Sequence, residues 1–187
     1  MTTLAHRNAT ALVIVDVQND VMVAVHDRQP VVDNIVTLVS RARETSTPVI
    51  WVQHSAEKEL RFGTDGWKLL DALPVVPGDR IVHKHGDAFE DTGLEADLAS
   101  FGVGHVVIAG AHTDFCIRST LHGALVRGYD VTLVSDAHTA EDLTEWGAPP
   151  PAQVIAHTNM YWDNQTAPGR TAEAVVTEKV DFTRPIP

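Results

Sequence analysis

The sequence predicts an α/β fold of three layers, in which helices cover both faces of a six-stranded parallel sheet. Short apolar runs recur along the chain and are typical of strands that are buried on both faces. Segments with apolar residues at helical spacing separate these runs. No internal repeat, low-complexity tract or linker interrupts the 187 residues, and this length suits one domain.

The first half of the chain contains three predicted strands and two predicted helices. ALVIVDV (11–17) is an apolar run that predicts a buried strand. Apolar residues at helical spacing predict a helix over 29–45. A second strand is predicted at 48–54 and a shorter third strand at 81–84. The segment DTGLEADLASFG (91–102) predicts a helix, because a threonine and a glutamate three residues apart are typical of a capping box and a glycine closes the segment.

The second half continues the alternation of strands and helices. HVVIAGA (105–111) predicts the fourth strand, and the apolar stripe of 113–128, closed by a glycine, predicts a helix. The fifth and sixth strands are predicted at 129–137 and 173–177, and a helix preceded by prolines is predicted at 151–162 between them. Such βαβ units favour a doubly wound, Rossmann-like sheet with the common strand order 3-2-1-4-5-6.

The expected strand order also predicts where a ligand would bind. The irregular segments 55–80 and 138–150 follow predicted strands, so both should lie at the carboxyl edge of the sheet. The first and fourth strands would be neighbours at the point where the strand order reverses. Asp16 ends the first strand and Cys116 follows the fourth, so we expect both residues in one crevice.

The composition limits the classes of function. The chain has 14 basic and 25 acidic residues, and this net charge of −11 repels phosphate, so we expect no nucleic-acid partner and no membrane partner. No apolar stretch reaches the roughly 18 residues of a membrane helix, and the first ten residues have no signal-peptide core. A single cysteine excludes an intrachain disulfide, which favours a cytoplasmic protein.

The position of that cysteine suggests chemistry. Cys116 lies where a predicted strand gives way to a helix, and the unpaired N–H groups of a helix start favour a thiolate and can receive an oxyanion. A nearby acid could take the thiol proton. Position alone leaves open whether Cys116 is a nucleophile or a small packed side chain.

The sequence positions of Asp16 and Lys84 also leave their roles open. Asp16 alone could be a solvated or capping carboxylate, and Lys84 an exposed lysine at a strand end. His83 and His85 flank Lys84 and could be read as metal ligands, but no third partner stands at a recognisable spacing. We therefore predict no metal site.

Three segments, read in order, resemble one known family. They are ALVIVDVQND, HKHGDAFEDTGLEADL and VVIAGAHTDFCIRSTLHGALVRGYDVTLVSDAHTA. Their order and spacing are similar to those of the isochorismatase-like cysteine hydrolases, over roughly residues 11 to 177. The resemblance implies that residues 1–187 form one hydrolase domain. It also implies that the protein needs no cofactor.

The resemblance implies a catalytic triad of Asp16, Lys84 and Cys116. Asp16 would be the general base, and Lys84 would keep Asp16 ionised and oriented. Cys116 would attack a carbonyl carbon and form a thioester, which water then hydrolyses. The third strand should lie about 10 Å from the first, so the sequence alone does not show that Lys84 reaches Asp16.

The resemblance carries two further implications. The first is a cis peptide bond between Ala111 and His112, with an oxyanion hole formed by the backbone amides of His112 and Cys116. The second concerns assembly, because members of this family are commonly dimers or larger. We therefore expect a homodimer or larger homo-oligomer, and the helix and prolines after residue 148 could form the subunit contact.

The chain departs from the nicotinamidases of this family. These enzymes have an Asp-x-His metal site just after the second strand, where this chain reads WVQHSAEKEL and has only His54. We expect His54 to line the pocket or to support it, without a metal. The presence of Cys116 favours the amide-cleaving branch, because isochorismatases act on a vinyl ether and need no thiol.

Several side chains are candidates for contacting a substrate. Polar residues follow the proposed base or end the second strand, and aromatic residues lie near strand ends or in the long loops, although each aromatic residue could equally be ordinary packing. The substrate-binding candidates are Gln18, Asn19, His54, Phe89, Phe115 and Trp146.

The leading prediction is a metal-independent cysteine hydrolase that cleaves a C–N bond, other than a peptide bond, of a small amide, carbamoyl or lactam substrate. A second enzyme hypothesis is a vinyl-ether hydrolase of the isochorismatase type with an idle cysteine. A hypothesis from another class is a small-molecule-binding or redox-sensing protein on the same fold. The sequence does not identify the substrate.

Overall fold

A computed structural model of the protein describes residues 2–183. Its sheet has six parallel strands in the order β3-β2-β1-β4-β5-β6, and helices flank the sheet. The predicted fold class and strand order are therefore confirmed. The predicted domain, residues 1–187, also includes Met1 and residues 184–187, which lie outside the described residues.

The observed elements follow the predicted alternation closely. The strands are β1 Ala9–Val15, β2 Val49–His54, β3 Arg80–Lys84, β4 Val103–Ala111, β5 Asp130–Thr139 and β6 Ala172–Val175. The α-helices are α1 Arg28–Glu44, α2 Leu94–Ser100, α3 Arg118–Arg127 and α4 Pro151–Asp163. Within residues 2–183, no helix combines the length and apolarity that crossing a bilayer requires.

Two hydrophobic clusters, one on each face of the sheet, form the core. Successive side chains of a strand point to opposite faces. Val13 of β1 therefore packs in the cluster that contains Leu121 of α3 and Trp162 of α4, while Ile14 packs with Ile35 of α1. This double burial explains why β1 is apolar throughout.

The segment after β4 differs from its prediction. The structure forms a π-helix over Thr113–Ile117, and α3 follows it directly. The apolar stripe at 113–128 has helical periodicity but does not distinguish one helix type from the other. The wider turn of the π-helix contains Cys116.

The capping box predicted for α2 is wrong. Gly93 is the residue before the helix, and the side chain of Thr92 donates its hydroxyl to the carbonyl of Ala88 at 2.6 Å. The hydroxyl oxygen of Thr92 still accepts the N–H of Leu94, the first residue of α2, at 3.3 Å. Glu95 instead forms an ion pair with Arg7 at 2.9 Å, so the reciprocal half of the capping box is missing.

A close contact between β1 and β4 brings the carboxyl ends of these strands together. Gly110 has φ +127°, and a methyl group added to it would lie 2.0 Å from the carbonyl oxygen of Val15. The pairing of β4 with β5 also shifts register between Ile108 and Gly110. Only glycine allows this approach at this backbone angle.

Candidate active site

The side chains of Asp16, Lys84 and Cys116 meet at the carboxyl edge of the sheet. Asp16 follows β1, Lys84 is the last residue of β3, and Cys116 lies in the π-helix after β4. The Nζ atom of Lys84 is 2.8 Å from Oδ2 of Asp16 and 3.2 Å from Sγ of Cys116. Asp16 and Lys84 are each 1 % exposed, whereas Cys116 is half-buried.

Lys84 reaches Asp16 because its long side chain crosses β2. In the register of β2 and β3, Lys84 pairs with His54 at the end of β2. Its side chain lies on the buried face that Val82 shares, and the exposed His83 points to the opposite side. Asp16 turns towards it at a positive φ of 53°. The four methylene groups of the lysine span the remaining distance.

Electrostatics keep Lys84 charged and the thiol protonated at rest. Burial lowers the pKa of Lys84, but the negative charge of Asp16 and the neighbouring Cys116 raise it more, so its pKa lies above the ordinary value. Burial, reinforced by the charge of Asp16, raises the pKa of Cys116 to about 12, although Lys84 opposes this shift. The resting pair is therefore a thiol beside a carboxylate that can accept its proton.

His54 is part of the same cluster. Its Nδ1 atom is 3.3 Å from Nζ of Lys84. Burial and the positive charge of Lys84 lower the pKa of His54. The ring is therefore neutral at neutral pH, as a group beside a buried cation should be.

Gln18 is fully buried and bonds the backbone around the end of β2. Its amide oxygen accepts the N–H of His54 at 2.8 Å, and its amide nitrogen donates to the carbonyls of His54 at 3.0 Å and Trp67 at 2.7 Å. Asn19 donates to the carbonyl of Asp65 at 2.7 Å. Both side chains, predicted to contact substrate, thus have backbone partners in the protein.

The predicted aromatic candidates occupy different environments. Phe89 is buried in the core, and its ring centroid lies 6.2 Å from that of Tyr129. The guanidinium carbon of Arg127 lies 4.7 Å from the centroid of the Phe89 ring. Phe115 is 55 % exposed and Trp146 is 76 % exposed. Phe89 therefore serves packing, while the two exposed rings are free to contact a molecule from solvent.

The turn that carries Cys116 begins with a cis peptide bond between Ala111 and His112, where the resemblance places one. The ring of His112 donates its Nε2–H to the carbonyl of Val21 at 2.9 Å. This contact ties the turn to the segment that follows β1.

Sequence reasoning missed a buried network behind this turn. The hydroxyl of Thr113 lies 2.8 Å from Nδ1 of His138, and Nε2 of His138 lies 2.9 Å from Oδ1 of Asn159 in α4. The amide nitrogen of Asn159 donates to the carbonyl of Ser135, which fixes the amide orientation and therefore the proton of His138 on Nε2. Thr113 is then the donor to His138. No local pattern signals a network built from three distant segments.

The described residues offer no cluster for a metal ion. Across positions 2–183, no three His, Cys, Asp or Glu side chains converge in a way that could hold one. The ring of His83 packs against the rings of Phe62 and Trp67, and the ring of His85 donates to the carbonyl of Ser55 at 3.0 Å.

Comparison with curated proteins gives relatives over most of the chain. Streptothricin hydrolase of Streptomyces noursei is 37 % identical over 150 residues, which cover 76 % of this chain and 59 % of that protein. A probable inactive nicotinamidase of Arabidopsis thaliana is 32 % identical, covering 70 % of this chain and 81 % of that protein. Ureidoacrylate amidohydrolase of Cronobacter sakazakii is 28 % identical and covers 81 % of each chain.

Solved structures share the architecture. A crystal structure of an isochorismatase family protein superposes with a TM-score of 0.78 at 29 % identity, covering 87 % of this chain and 96 % of that one. Residues 10–149 match the isochorismatase domain, and this span holds all three residues of the cluster at the sheet edge. The chain therefore belongs to the isochorismatase-like family of hydrolases.

Proposed function

We propose that this protein is a metal-independent cysteine hydrolase that cleaves the C–N bond of a small amide, carbamoyl or lactam through a thioester on Cys116. One observation carries the proposal. The buried Lys84 places its ammonium 2.8 Å from Asp16 and 3.2 Å from the sulfur of Cys116, so the proposed base, cation and nucleophile lie together at the sheet edge.

The first half of the reaction forms the thioester. Asp16 takes the proton of the Cys116 thiol as the sulfur attacks the carbonyl carbon, and the backbone amides of His112 and Cys116 would receive the oxyanion. The C–N bond then breaks. The departing nitrogen takes the proton from Asp16, which leaves an acyl group on sulfur.

The second half releases the acid. Water attacks the thioester carbon and gives a proton to Asp16, the C–S bond breaks, and the sulfur recovers that proton. Lys84 stabilises the negative charge that passes between carboxylate and sulfur in both halves. Because the resting thiol has a pKa of about 12, proton transfer must accompany attack rather than precede it.

The relatives support the class of reaction. One is named an amidohydrolase and another a hydrolase of streptothricin, and this chain matches 59 % of the length of the latter. Another relative is named a probable inactive enzyme, so membership of the family does not by itself guarantee turnover. The cluster of Asp16, Lys84 and Cys116 at the sheet edge supports turnover by this chain.

Trapping tests the proposal. The protein is incubated with a panel of amides, ureides and lactams, and intact mass is measured for an acyl adduct. We expect an adduct that maps to Cys116, inactivation by one equivalent of iodoacetamide that substrate slows, and rates that a chelator leaves unchanged.

Cys116→Ala is the decisive variant, with Ser40→Ala, at an exposed position of α1, as the control. Cys116→Ala should fold normally and lose turnover, whereas the control should keep it. Turnover by Cys116→Ala near the wild-type rate would end the covalent mechanism. Reversible peroxide oxidation of Cys116 without hydrolysis of any panel member would instead favour a redox sensor.

A further inference from the structure

The ammonium group of Lys84 has three acceptors around it. These are Oδ2 of Asp16 at 2.8 Å, Sγ of Cys116 at 3.2 Å and Nδ1 of His54 at 3.3 Å. A lysine ammonium carries three N–H donors and no acceptor. Lys84 is buried away from water, so its ammonium depends on these three neighbours: an ion pair with Asp16 and hydrogen bonds to Cys116 and His54.

This arrangement fixes the state of the His54 ring. An ammonium group can only donate, so Nδ1 of His54 must present its lone pair to Lys84. The ring proton then lies on Nε2, and the ring is neutral. A proton on Nδ1 would remove the acceptor and place a second positive charge 3.3 Å from the first.

The charges around His54 favour this neutral state. Lys84 and His85 both oppose protonation of the ring, and Asp16 alone favours it. His85 donates its Nδ1–H to the carbonyl of Ser55, the residue after His54. Cys116, the remaining titratable group near Lys84, is a neutral thiol at rest.

The backbone holds the ring in place. Gln18 bonds both the N–H and the carbonyl of His54, at 2.8 and 3.0 Å. The register of β2 and β3 sets His54 directly beside Lys84. The acceptor therefore sits at a defined position rather than on a mobile loop.

We infer that His54 is a positioning residue whose neutral imidazole holds the Lys84 ammonium between Asp16 and Cys116, and whose protonation disables the cleft in acid. The inference rests on the proposed function for the roles of the other three residues. It assigns His54 a function other than metal binding, and it makes no use of a substrate contact.

Nuclear magnetic resonance of the histidine rings tests the inference without any substrate. The ¹⁵N signals of His54, identified by their loss in His54→Asn, should show the Nε2–H form and titrate below the ordinary pKa of 6.5. In Lys84→Met the pKa of His54 should rise, because the opposing cation is gone. An Nδ1–H form in the wild type would overturn the inference, even for a protein that hydrolyses nothing.

The pH dependence of kcat/KM for hydrolysis is the second measurement, made with a substrate from the panel. His54→Asn keeps an acceptor near the Nδ1 position but does not titrate, so it should retain most of the neutral-pH rate and lose the acid limb of kcat/KM. His54→Leu removes the acceptor and should lower kcat/KM about 10- to 100-fold at neutral pH. His83→Asn, on the opposite face of β3, is the control and should keep the wild-type profile.

The outcomes separate the two claims. An acid limb that persists unchanged in His54→Asn would overturn the role of His54 while leaving the thioester mechanism intact. Absence of hydrolysis across the panel, together with the expected ring signals, would overturn the proposed function while leaving the hydrogen bond to Lys84 established.

Discussion

Lys84 holds together the cluster of side chains at the sheet edge. A buried cation is costly unless it is paired and hydrogen-bonded, and here the carboxylate of Asp16 provides the pair at 2.8 Å. Neither partner has access to water as a substitute, since each is 1 % exposed. The stability of the fold and the proposed reaction therefore depend on the same two side chains, and variants can separate the two effects.

Lys84→Met should inactivate the protein and destabilise it by about 3–5 kcal/mol, because the substitution leaves a buried carboxylate without its cation. Urea unfolding measures the change. The double variant Asp16→Asn/Lys84→Met removes both charges, so it should regain much of that stability while staying inactive. Lys68→Met, at an exposed lysine, is the control. A double variant as unstable as Lys84→Met would contradict the explanation.

Asp16→Asn should move thiol ionisation and turnover in opposite directions. The charge of Asp16 is one of the causes that raise the pKa of Cys116, so its removal should lower that pKa and let the thiolate form at lower pH. Turnover should nevertheless be lost, because the amide cannot accept the thiol proton. Thiolate absorbance against pH measures the first effect. An unchanged thiolate titration would show that Asp16 does not influence the sulfur.

At the level of elements, the close contact of β1 and β4 positions Asp16 relative to Cys116. Gly110 lets the backbone of β4 approach Val15, the last residue of β1 and the neighbour of Asp16. The π-helix then begins three residues later at Thr113. Any change that pushes these strands apart therefore acts on the cleft as well as on the sheet.

Gly110→Ala should destabilise the protein by about 2–4 kcal/mol, because the added methyl would lie 2.0 Å from a carbonyl at a backbone angle that alanine rarely adopts. Thermal or urea unfolding checks this value. Gly93→Ala is the matched control, since a methyl there meets nothing within 4 Å and φ is −84°. Equal stability of the two variants would mean that the strand contact is not constrained.

The elements were largely predictable from sequence, whereas the contacts between their ends were not. Buried parallel strands appear in the sequence as apolar runs. The alternation of these strands with helices is typical of the common strand order that the sheet has. Whether Lys84 reaches across β2 depends on the register of β2 and β3, and the sequence of a five-residue strand does not indicate that register. The prediction of a capping box at Thr92 is wrong because Glu95 pairs with Arg7, which is distant in the sequence.

Some of the candidate site was also predictable. Asp16 and Cys116 could be brought together from topology alone, and the family resemblance supplied Lys84. The burial of Gln18 and Phe89 was hidden, because a polar or aromatic residue beside a strand end has the same sequence signature whether it faces solvent or the core. The network of Thr113, His138 and Asn159 joins segments far apart in the chain.

On the scale of the whole molecule, the half-buried thiol of Cys116 links the stability of the fold to pH. The pKa of Cys116 rises from an ordinary value of 9.0 to about 12 on folding. The folded state therefore holds its thiol proton more tightly than the unfolded state. The resulting stabilisation is complete below about pH 9 and is lost as the pH rises towards 12.

The free energy of unfolding should therefore fall between pH 9 and pH 12 more steeply in the wild type than in Cys116→Ser, whose hydroxyl does not titrate there. Urea unfolding under reducing conditions, repeated across this range, gives both curves. Tyr129, whose pKa is raised by burial and by its bond to Glu95, contributes equally to both. Parallel curves would contradict the assignment to the thiol.

The way Gln18 holds the segment 55–80 has a consequence for how new substrate preferences can arise. Gln18 and Gln53 both grip that segment through the main-chain carbonyl of Trp67, a group that every amino acid supplies. The attachment thus places little demand on which side chains the loop carries. Loop sequences can be exchanged while the acid, the cation and the sulfur stay where they are, so this edge of the sheet is a natural place to graft altered selectivity.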